Sequence, residues 1–265
     1  ICATHNLEKN SFCKGQPDWG KELADDLLRV IEKHGADKIA AFITEPVAGS
    51  TGVLIPPKGY LERIRGICSE HDILLIFDEV ITGFGRLGAP FAAQYFGIEP
   101  DMITCAKGLT SGTVPMGAVM VKKEIYDAYQ QEDPKVIDLF HGYTYSDHPL
   151  SAAALIATLD VYGEDGLFDH ANEISSYWEE ALHSLKGTDH IIDIRNLGFI
   201  AGVEMEPRDG KPGSRGYDVF TDAFHNYDTL LRVTGDTLAL SPPLIAEREH
   251  IDSLIETLRK VIPDH

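Results

Sequence analysis

Apolar residues recur along the chain with two different periods, and the change of period marks two regions. Residues 20–34 carry Leu23, Leu27, Leu28 and Ile31 at helical spacing, and KIAAFIT (38–44) follows as an apolar run of strand length. Residues 60–70 predict a helix and ILLIF (73–77) a second buried strand; residues 101–105 and 117–121 predict two more. Continuous apolar runs of this length, separated by helices, suit a mainly parallel sheet covered on both faces. From His148 the pattern changes. Pro149 stands where a helix can start, residues 150–161 are rich in Ala and Leu, and an amphipathic stretch runs from 167 to 185. Strand-like runs at 191–194 and 199–204 precede a Gly/Pro/Arg loop at 209–216. A helix, a strand pair within 231–240 and a closing helix over 247–261 complete the chain. The expectation is an α/β fold in two domains: residues 1–158, with the mainly parallel sheet, and 159–265, a smaller α+β domain hinged near 155–165.

Composition narrows the function classes. The chain has 265 residues, 43% of them hydrophobic and 25% charged, as in a soluble globular protein. No apolar run reaches the roughly 18 residues a membrane span needs. No basic segment leads into an apolar core, so no signal peptide is expected, and a start at Ile1 rather than Met suggests a fragment or a processed chain. Four cysteines (Cys2, Cys13, Cys68, Cys105) form no CxxC pair, so neither a disulfide framework nor a metal site is expected and a cytoplasmic location is the default. A formal charge of −19 argues against nucleic acid or an anionic membrane as partner. It suits a well-solvated acidic surface, with salt adaptation as a second reading.

Gly83-Phe84-Gly85-Arg86-Leu87-Gly88 has the spacing of a dinucleotide-binding loop. That fingerprint needs its glycines directly at the end of a strand, where pyrophosphate meets a helix N-terminus. Here Asp78-Glu79-Val80-Ile81-Thr82 intervene, and two carboxylates would repel pyrophosphate. The glycines are expected to serve a tight turn.

Chemistry is more plausible at two other positions. Asp78 closes ILLIF, and a carboxylate at the end of a buried strand is costly unless something pairs with it. Ligands of open α/β sheets bind beyond such strand ends, although a cap or turn role remains open for this residue. Lys107 follows the next apolar run, flanked by Ala106 and Gly108. Such a setting can lower an amine's pKa and make it nucleophilic; the competing reading is a solvated charge.

TEPVAGSTGVLIPPKGYL, LLIFDEVITGFGR, DMITCAKGLTSGTVPMGAV and HGYTYSDHPL occur in the order found in class III aminotransferases, and RVTGDTLALSPPLI continues the likeness near the end. The chain resembles the ω-amino-acid:pyruvate (β-alanine:pyruvate) branch over essentially its whole length. The resemblance implies fold type I, with a partial cofactor-binding large domain, and pyridoxal 5′-phosphate (PLP) as cofactor. It implies that Lys107 holds PLP covalently and moves the proton of the reaction. Asp78 would bind the pyridinium nitrogen, and Val80 would pack on the ring. Thr144 would reach the phosphate of the neighbouring subunit's cofactor, which makes the partner a second copy in a homodimer. Arg232 would clamp the carboxylate of amino donor or keto acid. Plainer readings stay open: core packing for Val80, a turn hydroxyl for Thr144, a surface ion pair for Arg232. Glu45 and Arg86 are expected in structural ion pairs.

The family's N-terminal portion, which supplies a phosphate-cradling turn and an aromatic residue over the pyridine ring, has no counterpart in residues 1–30. Apolar sheet surface is therefore expected to lie uncovered. Asp147 stands where the family usually has Gly before His-Pro; Asp tolerates left-handed backbone, though its charge near Thr144 would oppose phosphate. Leu87, often Thr in the family, reads as a surface or packing change. The implied activity is transfer of an amino group from an ω-amino acid or amine to pyruvate in two half-reactions. A non-catalytic fragment, an aminomutase or a decarboxylating transaminase are the alternatives.

Overall fold

A computed structural model describes residues 5–130, 135, 139, 141 and 143–265; Cys2 and Gly142 lie outside them. The first sheet is built from β1 (Ala41–Thr44), β2 (Leu74–Asp78), β3 (Met102–Cys105) and β4 (Ala118–Val121), in that order across the sheet. β1, β2 and β3 run parallel, and β4 closes the edge antiparallel to β3. The second sheet contains β5 (Ile191–Leu197), β6 (Ile200–Met205), β7 (Arg232–Thr234) and β8 (Thr237–Leu240). Its order is β5-β6-β8-β7, and each neighbouring pair is antiparallel.

Helices cover these sheets because their apolar residues fall on one stripe. Among the described residues they are α1 (Leu7–Asn10), α2 (Asp26–His34), α3 (Tyr60–Glu70), α4 (Ala92–Phe96), α5 (Lys123–Tyr129), α6 (Pro149–Glu164), α7 (Leu167–His183), α8 (Ser214–Tyr227) and α9 (Arg248–Val261). In α3, Tyr60, Leu61, Ile64, Ile67 and Cys68 are buried, a stripe of helical period that joins Phe42, Leu75 and Phe77 in one core. In α7 and α9 the stripes Leu167-Ala171-Ile174-Trp178-Leu182 and Ile251-Ile255-Leu258-Val261 meet the apolar face of the second sheet, where Trp178 packs edge-on against Phe199 at 5.6 Å. α6 starts where Pro149 was expected to start it, with the His148 ring accepting from the Leu150 N–H. Residues 158 and 159, the expected domain boundary, are consecutive positions within α6.

Two expectations for the first sheet are decided together: a sheet covered on both faces is corrected, and the uncovered apolar surface is present, with Ile43 58% exposed, Val119 62%, and Met120 and Val121 exposed as well. α2 and α3 pack on the face bearing Phe42, Leu75 and Phe77, and an apolar run alone cannot show that the opposite face lacks a cover. α6 likewise leaves Leu150, Ile156 and Leu159 exposed on an almost uniformly apolar helix.

The second sheet docks onto the turn that follows β2. Gly198, between β5 and β6, has φ +55°, and a Cβ there would stand 2.6 Å from Leu87 Cα and 2.9 Å from the Arg86 carbonyl oxygen. Both obstacles are backbone and cannot step aside. Gly198→Ala is expected to cost about 2–4 kcal/mol, from left-handed strain plus overpacking. Urea titration should show it as a lower midpoint at unchanged slope.

Candidate active site

Alternation along β2 sorts its two terminal carboxylates. Leu75, Phe77 and Glu79 share the fully buried face, whereas Asp78 points the other way and is half-buried. Glu79 accepts from the Ala93 N–H (2.8 Å), the Ala92 N–H (2.5 Å) and the Thr82 hydroxyl (3.1 Å), so it caps α4 from inside the core. Burial pushes its carboxyl above the usual range, and those three donors oppose the rise. Asp78 is used less fully. Its Oδ1 accepts from the Val80 N–H at 3.1 Å, and it forms no ion pair with any described residue.

Lys107 emerges at the same edge of the sheet. Asp78 is in register with Thr104 on the parallel strand β3, and Lys107 lies three residues beyond Thr104. It opens a short 3-10 turn (Lys107–Thr110) with φ +45°, a left-handed angle costing a non-glycine residue about 1–3 kcal/mol. The surroundings hold it there. Its carbonyl accepts from the Gly112 N–H (3.0 Å), the Gly108 carbonyl accepts from the Tyr162 hydroxyl (2.7 Å), and a Cβ on Gly108 would stand 2.7 Å from Phe84 Cβ. The Lys107 side chain itself is exposed and has no carboxylate partner among the described residues.

A cavity of 800 Å³ opens over this edge. Val80, Lys107 and Arg232 line it together, joined by Phe84, Arg86 and Tyr162; Asp78 and Thr144 are not in its wall. Lys107, Arg86 and Arg232 contribute three cations, and among the described residues no Asp or Glu lines the space. In a chain of net charge −19 that segregation gives the cavity a local positive charge, which favours anions. Arg232 opens β7 opposite Ala239, exposed and without an ion pair among the described residues, so the surface-pair reading does not hold for it. Thr144 is exposed in the turn 144–147, beside Tyr145, and Asp147 has φ +59°, the left-handed angle expected of the position.

Other expectations divide. The glycines of GFGRLG make turns: Gly85 and Gly88 have φ +94° and +79°, and no helix starts at this loop. Neither Arg86 nor Glu45 forms an ion pair among the described residues. Arg86 donates to the carbonyls of Pro242 (2.5 Å) and Phe199 (3.4 Å), and Glu45 accepts from the Gly49 N–H (3.1 Å). Burial lowers the pKa of Arg86, an effect that Tyr162 opposes. Away from the cavity, His5, Asp193 and Glu204 bring ligand-type atoms within 4.8 Å of one another. Arg195 Nη1 already stands among them, at 2.6 Å from each carboxylate and 3.3 Å from the imidazole, which makes this an ion-pair network.

The sequence profile described as aminotransferase class-III matches residues 4–262. The chain belongs to the class III aminotransferases. It is 59% identical over 98% of its length to an omega-aminotransferase of Caulobacter vibrioides. It is 43% identical over 97% of its length to a beta-alanine–pyruvate aminotransferase of Pseudomonas aeruginosa. The chain spans 59% and 58% of those relatives. Among solved structures, an (S)-enantioselective omega-transaminase of Thermomicrobium roseum superposes with a TM-score of 0.84 at 36% identity, covering 92% of this chain and 55% of that one. A second transaminase superposes with a TM-score of 0.88 at 34% identity, covering 94% of this chain and 60% of that one. These likenesses establish fold type I for the class III chain.

The parts played by two residues of this cavity wall were not legible in the sequence. Tyr162 supports the Lys107 turn from α6, and nothing in an Ala/Leu-rich helix singles it out. Arg86 was noticed, but its partners are carbonyls more than a hundred residues away, which spacing cannot supply.

Proposed function

We propose that the protein is a PLP-dependent aminotransferase that moves an amino group from an ω-amino acid or amine to pyruvate. The observation that carries this reading is the shared edge of β2 and β3. There, a carboxylate (Asp78) and an amine (Lys107), neither in an ion pair among the described residues, adjoin a cavity whose charged lining among those residues is cationic. The donor set suits PLP: an amine to hold its aldehyde carbon, a carboxylate to keep its ring nitrogen protonated, and positive potential for its anionic groups. When bound, PLP supplies an electron sink for the carbon that carries the amino group.

The residues of the chain supply the rest. Asp78 would keep the ring nitrogen protonated, and Val80, whose N–H donates to Asp78, would pack against the ring. Lys107 would be the residue that holds the cofactor's aldehyde carbon, and its amine would be the base that carries the proton of the reaction. Arg232 forks onto the carboxylate of the keto acid, a geometry a planar guanidinium suits. Amino donor and keto acid are thus the small-molecule partners.

The macromolecular partner we infer is a second copy of the chain. The exposed apolar positions of α6 and β4 support this, as does the exposure of Thr144, the residue that would contact a neighbouring subunit's phosphate. No helix among the described residues is long and apolar enough to cross a membrane. Free Cys13, Cys68 and Cys105 accord with a cytoplasmic setting.

The test is to add PLP to the purified protein, record the visible spectrum, reduce with borohydride and map the labelled peptide. A new band, with the reduced adduct on Lys107, is the expected result. An adduct confined to other lysines would overturn the assignment.

A further inference from the structure

The cavity's carboxylate-binding end is built from the second sheet, while Lys107 belongs to the first. Something must fix the distance between them, and Arg86 stands at the junction. It lies in the turn after β2, where Gly85, without a Cβ, lets Leu244 and Phe168 come close: a Cβ would stand 2.9 Å from Leu244 Cδ1 and 2.6 Å from Phe168 Cδ1. From that turn, Arg86 bonds two separate segments of the second sheet. Its carbonyl accepts from the Phe199 N–H at 2.8 Å, in the β5–β6 connection. Its Nη1 donates to the Phe199 carbonyl at 3.4 Å and to the Pro242 carbonyl at 2.5 Å.

The second of those segments matters for binding. Residues 240–245 leave β8 and line the cavity through Ser241, Pro243, Leu244 and Ile245. Arg232 is registered opposite Ala239, three residues before Pro242, so any shift of this segment carries Arg232 with it. Pro242 and Pro243 have no N–H and cannot extend the ladder, which leaves the segment dependent on bonds to its carbonyls. The bond to Pro242 comes from Arg86, and charge-assisted bonds of this kind are the stronger class. The guanidinium is not spent on a carboxylate: no ion pair competes for it among the described residues.

We infer that Arg86 is a positioning residue for the substrate carboxylate, holding the 240–245 wall and Arg232 at a fixed place relative to Lys107. The inference rests on the aminotransferase reading for its kinetic consequence, and on hydrogen bonds alone for its mechanical one. The two can therefore fail separately.

The experiment compares wild type, Arg86→Gln and Arg86→Lys in the complete protein, with hydrogen exchange and steady-state kinetics as readouts. In Arg86→Gln the amides of residues 244–246 should exchange about tenfold faster or more, with α7 unchanged. The KM for pyruvate should rise about tenfold at nearly constant kcat, while a simple aliphatic aldehyde, an acceptor with no carboxylate, keeps its KM. Arg86→Lys retains one charged donor for the Pro242 carbonyl and should recover part of both effects. It also serves as the test if the glutamine variant does not fold. A raised KM for pyruvate with exchange unchanged would mean that Arg86 acts on the carboxylate by contact or by its charge, which overturns the positioning role. No change in either readout overturns it as well. If the wild type fails to transaminate, the functional reading falls and the exchange result still decides the clasp.

Discussion

Replacing Lys107 by alanine is expected to lower the transamination rate by about four orders of magnitude, the upper end of what one positioned proton-transfer group contributes. Lys107→Arg should be nearly as inactive. Arginine keeps the positive charge and most of the length, but it cannot give up its proton in the working range, so it can neither attack nor act as base. That pair of variants separates chemistry from electrostatics. If the residue served only as one of three cations around the cavity, arginine would substitute well. Rates from single turnovers with a saturating amino donor are the measurement, since they isolate the chemical step from product release. Stability should move the other way. The side chain is exposed, and its backbone sits at φ +45°, so Lys107→Gly should be more stable than Lys107→Ala by about 1 kcal/mol. Strain retained at this position is consistent with selection for the amine rather than for the fold.

How much of this was readable beforehand depended on whether the deciding interaction was local. α3, α7 and α9 follow from apolar spacing, α6 from its Ala/Leu content behind Pro149, and β2 and β3 from short apolar runs, because burial of one stripe or one face is written into neighbouring residues. Asp78 and Lys107 could be singled out because each ends such a run. The role of Glu79, by contrast, needed the strand's register. Only the placement of Leu75 and Phe77 against α3 puts Glu79 inward, where α4, a helix too short to show periodicity, closes over it. Arg86 and Glu45 were expected in structural ion pairs, each with a side chain of opposite charge, the usual fate of a partly buried charge. The structure gives them backbone partners instead, and for Arg86 those lie in another sheet. The same limit applies to β4: its apolar run predicted a strand but carried no sign that the strand would lie antiparallel at an edge.

Arg195 illustrates a different contribution of charge, to stability, and carries the second large prediction. Its side chain is 5% exposed and that of Asp193 is fully buried, on the interior of the second sheet. Nη1 bonds Asp193 and Glu204, each at 2.6 Å, while Nε and Nη2 donate to the carbonyls of Gly52 and Val53, in the loop that carries Val53 to the cavity wall. Arg195→Ala would leave two carboxylates without that cation and two carbonyls without their donor. The expected loss is about 3–5 kcal/mol, because removing one member of a buried pair exposes the desolvation cost of the other. The pH dependence fixes the sign. Glu204 has its pKa lowered, first by the His5 imidazole 3.7 Å away and then, against the opposing effect of burial, by Arg195. A group with a lowered folded pKa contributes stability that is fully present above the ordinary carboxylate range and is lost as pH falls through the folded value. Without Arg195 that pKa rises toward its ordinary value of about 4.3, and the stabilisation it reports shrinks. The gap between wild type and variant should therefore be widest near neutral pH and narrow as Glu204 takes up its proton in acid. Urea titrations at fixed protein concentration, run from pH 7 down to about pH 4, would show this. A gap that stayed constant across that range would assign the loss to packing and to the Gly52 and Val53 carbonyls, with no measurable share from the ion pair.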